Sequence, residues 1–294
     1  MTTNTAPLQR TTVADVARIR ILHLSDTHLS GDGTLHHGVV DTTAALARVL
    51  DRAAEVGPLD LVVACGDLSE DGSESSYRTV REMLEPWAGA RGTAVVYAMG
   101  NHDLRTGFHS VLGDVSTVAT VRGVRVVSLD SSVAGAGYGR IGAEQLEWLR
   151  SVLGRPTEFG SIVVMHHPPV PAATPLLAAL ELQEPQTLLD ICAAGGVRLL
   201  LCGHYHHPMA TRAHGMDVLV APAVANTSDV AAADGHEVAR VGAGFAVVEI
   251  PLEQTAGAVR FIPVAAPCPQ DGTVLFDLPP DELQELARVA GPPG

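Results

Sequence analysis

Five short polar motifs recur along this chain, and each stands directly after a run of aliphatic residues. Ile19-Arg20-Ile21-Leu22 leads to Asp26-Thr27-His28, Leu61-Val62-Val63 to Gly66-Asp67, and Ala94-Val95-Val96 to Gly100-Asn101-His102-Asp103. Ile162-Val163-Val164 leads to His166, and Leu199-Leu200-Leu201 to Gly203-His204-Tyr205-His206. Such runs read as buried strands with the polar residues at their C-terminal ends, which is where open α/β sheets place ligands and reactive groups. Donors arriving from five strand ends can converge on one point: two Asp, one Asn and four His, with His102 left over. That set is too large for one tetrahedral ion and suits two ions sharing a carboxylate.

Spacing adds detail. Asp26 and His28 are two apart, as are His204 and His206; in extended backbone, each pair would face one side. Asn101 offers a neutral amide oxygen that a hard divalent ion accepts without adding negative charge. Cys65 and Cys202 precede the Gly of two motifs and read as small buried side chains ending core strands, not as ligands. The four cysteines show no paired short spacing, so reduced thiols are expected.

The ordered motifs HLSDTHL, CGDLSEDG, AMGNHD, GRIGAEQLEWL, MHHPP and CGHYHHP resemble those of the calcineurin-like metallophosphoesterases, in particular the bacterial, actinobacterial-type class III cyclic-nucleotide phosphodiesterases. The resemblance runs from about Ile19 to about Pro263. It implies an α/β/β/α sandwich, two mixed β-sheets packed face to face and flanked by helices. It also implies two divalent ions (Mn2+, Fe2+/Fe3+ or Zn2+). Asp26, His28 and His206 would hold the first ion and Asn101, His166 and His204 the second, with Asp67 shared. Asn101, His102 and His167 would face the substrate phosphate. His102 would be no ligand but the acid that protonates the leaving oxygen, while a hydroxide held between the ions attacks phosphorus. Glu70, with Asp71 second, is the carboxylate expected to orient His102, and Asp103 is expected to serve the loop backbone.

The implied activity is hydrolysis of 3′,5′-cyclic nucleotides, cAMP foremost, to 5′-nucleotides. Other small diesters such as glycerophosphodiesters come next, and phosphomonoesters after them. The protein phosphatases of the superfamily carry an Arg shortly after the second motif and Glu after GNH, whereas this chain has GDLSEDG and GNHD. A non-catalytic scaffold has no need of Asp67, Asn101 and His102.

Composition narrows the partners. The formal charge is −14, with no basic cluster, which disfavours nucleic acid and anionic membranes. Mean hydropathy is +0.20, yet no apolar run reaches the ~18 residues that span a bilayer. Met1 to Arg18 is Thr-rich and polar, without the pattern of a signal peptide, so a cytoplasmic protein is expected. Residues 19–265 are expected to form one catalytic domain, 1–18 a polar tail and 266–294 an extension with a short helix. Helices are expected at Thr42–Glu55, from an N-cap at Ser73 to about Leu84 before Pro86, at Ala143–Leu153 and at Gln186–Ala194. The Leu- and Pro-containing segment Val170–Pro185 is expected to form a lid or an oligomer contact, a homodimer being one outcome.

Overall fold

Aliphatic residues at consecutive positions, rather than alternate ones, mark a strand covered on both faces. The central strands of this protein are of that kind. The computed structural model describes residues 17–233, 235–253 and 257–293; residues 1–16 of the expected polar tail lie outside them.

In chain order the first strands are β1 (Arg18–Leu24), β2 (Leu61–Cys65), β3 (Ala94–Ala98), β4 (Thr117–Val121) and β5 (Val124–Ser128). Next come β6 (Gly139–Arg140), β7 (Ser161–Val164), β8 (Leu182–Gln183), β9 (Val197–Cys202), β10 (Met209–Ala213) and β11 (Met216–Val220). The last are β12 (Thr227–Ser228), β13 (Glu237–Arg240), β14 (Gly244–Pro251), β15 (Arg260–Ala265) and β16 (Val274–Leu278). The helices are α1 (Thr42–Ala53), α2 (Glu74–Gly89), α3 (Arg105–Leu112), α4 (Ala143–Leu153), α5 (Pro175–Ala179), α6 (Pro185–Ala194) and α7 (Pro280–Ala290).

Two mixed sheets form the centre, one in the order β15-β14-β1-β2-β3, the other β10-β11-β9-β7-β5-β4. Strands β1, β2 and β3 run parallel, as do β5, β7, β9 and β11, while β14 pairs antiparallel with β1 and β15, β10 with β11, and β4 with β5. The alternation of side chains then sorts the aliphatic runs into three apolar layers. Ile19, Ile21, Leu61 and Val63 meet Val126, Ile162, Val164 and Leu199 between the sheets. The opposite face of the first sheet, with Leu22, Leu24 and Val62, packs on Leu46, Val49 and Val80 of α1 and α2. That of the second, with Val127, Val163 and Leu200, packs on Leu149, Leu188 and Cys192 of α4 and α6. This is the expected α/β/β/α sandwich, and every parallel strand delivers its C-terminal end to the same side.

One local feature differs from the expectations. Helix α2 runs through Pro86 to Gly89, although proline there removes one helical hydrogen bond. Burial of Ala88 and the bond from Trp87 Nε1 to the Leu50 carbonyl (3.1 Å) hold the continuation in place. In the Val170–Pro185 segment, Leu177 and Leu182 are buried in the second sheet's core, so these two leucines pack on their own chain. The extension is likewise tied in. Strand β16 pairs with β13, and the Ala290 carbonyl accepts a bond from Gly137 N (2.9 Å). Among the described residues, no helix is long and apolar enough to cross a membrane.

Candidate metal centre

The loops that follow β1, β2 and β9 turn within a few residues of the strand ends. Asp26 N donates to the Gly66 carbonyl and His28 N to that of Asp67, so the first two motifs zip together. Asp26, His28, Asp67, His204 and His206 all have φ between 45° and 70°. The two-apart pairs thus converge through left-handed backbone, not through the extended chain expected, which would have carried the next residue to the other face. Gly66 is required in this packing: at φ 86°, a Cβ there would lie 2.6 Å from His166 Nδ1.

The seven expected ligands are brought together. Asp26, His28 and His206 place ligand atoms within 4.8 Å of one another, as do Asp26, Asp67 and His166. Asp67 faces both groups, its Oδ2 lying 3.7 Å from His28 Nε2 and 3.3 Å from His166 Nε2. The Asn101 amide oxygen lies 3.2 Å from His166 Nε2.

Each imidazole also has an outward partner that settles which nitrogen carries the proton. His28 Nδ1–H donates to Glu70 Oε2 (2.5 Å), His206 Nδ1–H to Asn226 Oδ1 (3.0 Å) and His166 Nδ1–H to the Cys65 carbonyl (2.7 Å). His204 is turned the other way, donating from Nε2 to the Leu180 carbonyl (3.1 Å). The inward nitrogens of His28 and His206 therefore turn their lone pairs toward one another, with His28 Nε2 and His206 Nε2 3.4 Å apart, while His166 Nε2 faces the carboxylate of Asp67. Lone pairs and carboxylates converging in a buried space repel unless a cation lies between them, so the donor set fits divalent metal.

The titration behaviour reflects the same excess of negative charge. Burial favours neutral rings and lowers His28 to about 4 and His204 to about 3. Burial acts on His166 too, but Asp67 and Asp26 reverse it and push its pKa up to about 9. Asp67 is buried, which disfavours its charge, yet the imidazoles of His166 and His102 hold it well below the ordinary carboxylate range.

Other expected residues fall as follows. His102 is half-exposed at the rim, its Nδ1 3.5 Å from Glu70 Oε2, and its backbone N–H donates to Asp67 Oδ1 (2.8 Å). Glu70 is thus near His102 but bonded more closely to His28. Asp71 accepts from Gly31 N and Ser73 N and does not serve His102. Asp103 serves the backbone, accepting from Gly100 N, Leu68 N and Ser69 N; burial and the neighbouring Asp67 push its pKa up to about 7. His167 is fully buried, with Ser131 Oγ at 2.8 Å from Nδ1 and the Gly137 carbonyl at 3.1 Å from Nε2. Neither ring nitrogen is left for a phosphate, so His167 backs the ring of His204 instead, 4.4 Å away. Sequence reasoning missed Asn226 and gave His36 no role, although both are buried against the site. The only signal was position: Asn226 follows the aliphatic run of β11 as the other motifs follow theirs.

Comparison with known proteins gives a consistent picture. The family model described as Calcineurin-like phosphoesterase matches residues 19–208. A Rhodococcus erythropolis protein named a probable cyclic nucleotide phosphodiesterase is 38% identical over 231 residues, 76% of this chain and 76% of its own. A Mycobacterium tuberculosis cAMP/cGMP dual specificity phosphodiesterase is 35% identical, covering 76% of this chain and 73% of its own. The Escherichia coli 3′,5′-cyclic adenosine monophosphate phosphodiesterase CpdA is 31% identical, over 71% and 78%. Among solved structures, the yellow lupin purple acid phosphatase PPD1 shares the fold, with a TM-score of 0.60 at 13% identity over 92% of this chain and 55% of that one.

Proposed function

Because the chain belongs to the calcineurin-like phosphoesterase family, we propose that it hydrolyses 3′,5′-cyclic nucleotides, cAMP foremost, to 5′-nucleotides at a dinuclear metal site. The observation that carries this reading is that relatives matched over most of both chains share that one named activity. The inward-facing donor set supports the dinuclear part.

Asp26, His28 and His206 would hold one ion and Asn101, His166 and His204 the other, with Asp67 between. When bound, the pair supplies positive charge to the phosphoryl oxygens and acidifies the attacking water. The chain's own residues do the rest. Glu70 faces His102 Nδ1, which leaves His102 Nε2 to carry the transferable proton. As water adds to phosphorus and the P–O3′ bond breaks, that proton passes to O3′, so the leaving group departs as an alcohol. The bond from His102 N to Asp67 fixes the acid relative to the shared carboxylate. A diester carries one negative charge, so it needs no arginine clamp of the kind a monoester dianion rewards.

The test is a side-by-side assay of Mn2+-loaded protein on cAMP, a bis-aryl phosphate and an aryl phosphate. Both diesters should be cleaved, with the monoester slower; a clear preference for the monoester would move the assignment to a phosphatase.

A further inference from the structure

Asn226 is the pivot of a contact that the proposed reaction does not use. Its Oδ1 accepts from His206 Nδ1–H at 3.0 Å and from His36 Nε2–H at 3.1 Å. His36 is held inward by a tight loop: its backbone N–H donates to the Val40 carbonyl, and the Val40 N–H returns a bond to the His36 carbonyl. The other His36 ring nitrogen, Nδ1, is buried without a partner; Glu70 Oε2 is 3.6 Å away, beyond hydrogen-bond range. A histidine placed here for its own stability would not leave a buried nitrogen unmet. Its one good bond is to Asn226.

A primary amide can turn over, exchanging its oxygen for its NH2, at little change in shape. Beside His206 the two orientations differ in consequence. With Oδ1 inward, His206 must carry its proton on Nδ1, and Nε2 keeps the lone pair that faces Asp26 Oδ1 at 3.3 Å. With the NH2 inward, His206 Nδ1 must accept, and the proton moves to Nε2, where it blocks the ligand position. His36 on the same oxygen disfavours the second orientation, because turning the amide would send the His36 proton to Nδ1, where no acceptor lies within hydrogen-bond range. We propose that His36 is a positioning residue of the metal centre: by donating Nε2–H to Asn226 Oδ1, it locks the amide so that His206 keeps the metal-binding tautomer. The proposal rests on the dinuclear reading of the site.

The test is a double-mutant cycle on Mn2+ binding to the metal-free chain, with free Mn2+ counted by its electron paramagnetic resonance signal. His36→Met fills similar space and has no donor. It should weaken one of the two sites about 10–100-fold, while His36→Gln, which keeps an N–H donor, should stay within about threefold of the parent. A carboxylate offers oxygen in either orientation, so His36→Met should have almost no effect when introduced into Asn226→Asp. Thermal melting of each metal-free variant checks that it is folded, and His36→Leu repeats the measurement if the Met variant is not. The same loss in both backgrounds, or none in the Asn226 background, would overturn the amide lock. A parent protein that binds fewer than two Mn2+ would overturn the dinuclear reading instead, along with the lock that rests on it.

Discussion

The two halves of the candidate centre are anchored by different means. His28 and His206, in the half around Asp26, are oriented by side chains, Glu70 and Asn226. His166 and His204, in the half around Asn101, are oriented by main-chain carbonyls, those of Cys65 and Leu180. A carbonyl belongs to the fold and cannot be substituted away; a carboxylate or amide can. The second half is therefore as rigid as the strand β2 and the segment after α5 that supply its acceptors. The first half can be tuned, residue by residue, without disturbing the sheets.

The sharpest way to break this comparison is at the residue that belongs to neither half. Asp67→Ala should remove both ions and reduce turnover by at least about 10³-fold, as read by elemental analysis and cAMP hydrolysis. Two retained ions would show that Asp67 does not join the halves. His102→Ala should leave both ions in place and lower cAMP turnover by about 10²–10⁴-fold. The loss should shrink on an aryl diester, whose phenolate departs with less help; equal losses on both substrates would remove the acid role.

The contrast between the halves is tested next. Glu70→Ala should weaken Mn2+ in the first half by about 10–100-fold and leave the second half unchanged. Asn101→Ala should do the reverse, with activity partly recovered by added Mn2+. Binding isotherms in which either variant depresses both sites equally would show that the halves are not separately anchored.

The smallest effect lies behind the site. Burial lowers the pKa of His23 from 6.5 to about 3, and its Nε2 lies 3.2 Å from Cys65 Sγ, on the residue whose carbonyl anchors His166. A histidine kept neutral by folding contributes stability that is whole above pH 6.5 and is lost as pH falls toward 3. The slope is about 1.4 kcal/mol per pH unit for one proton. His23→Leu should flatten the acid limb of the unfolding free energy by that one-proton slope. An unchanged limb would mean that His23 is not held neutral.

The candidate ligands could be picked out in the sequence because each group of them follows a mostly aliphatic run, a signal that needs no knowledge of partners, and the structure brings them together. The anchoring was not readable. Two of the four anchors are backbone carbonyls, which every residue has, and Asn226 lies 20 positions from His206. Glu70 was legible as a carboxylate near the site, but its closest contact is His28 rather than His102, a matter of which ring the loop turns toward it. The assignment of His167 to the phosphate failed for a similar reason. Adjacency to His166 says nothing of Ser131 and Gly137, which occupy both its nitrogens. The run through Pro86 was missed because local propensity cannot see the core that Ala88 enters.

The left-handed backbone at Asp26, His28, Asp67, His204 and His206 carries a further consequence, for how such a chain can change over time. Each such residue holds a conformation that disfavours folding by about 1 kcal/mol or more. Together they weigh on the order of 5 kcal/mol, comparable with the whole net stability of many domains. Glycine at any of them would relieve the strain and discard the chemistry, so lineages that abandon catalysis should drift toward glycine there first. Lineages that keep it must offset that strain elsewhere, and burial in the three apolar layers is the main favourable term this fold has for doing so.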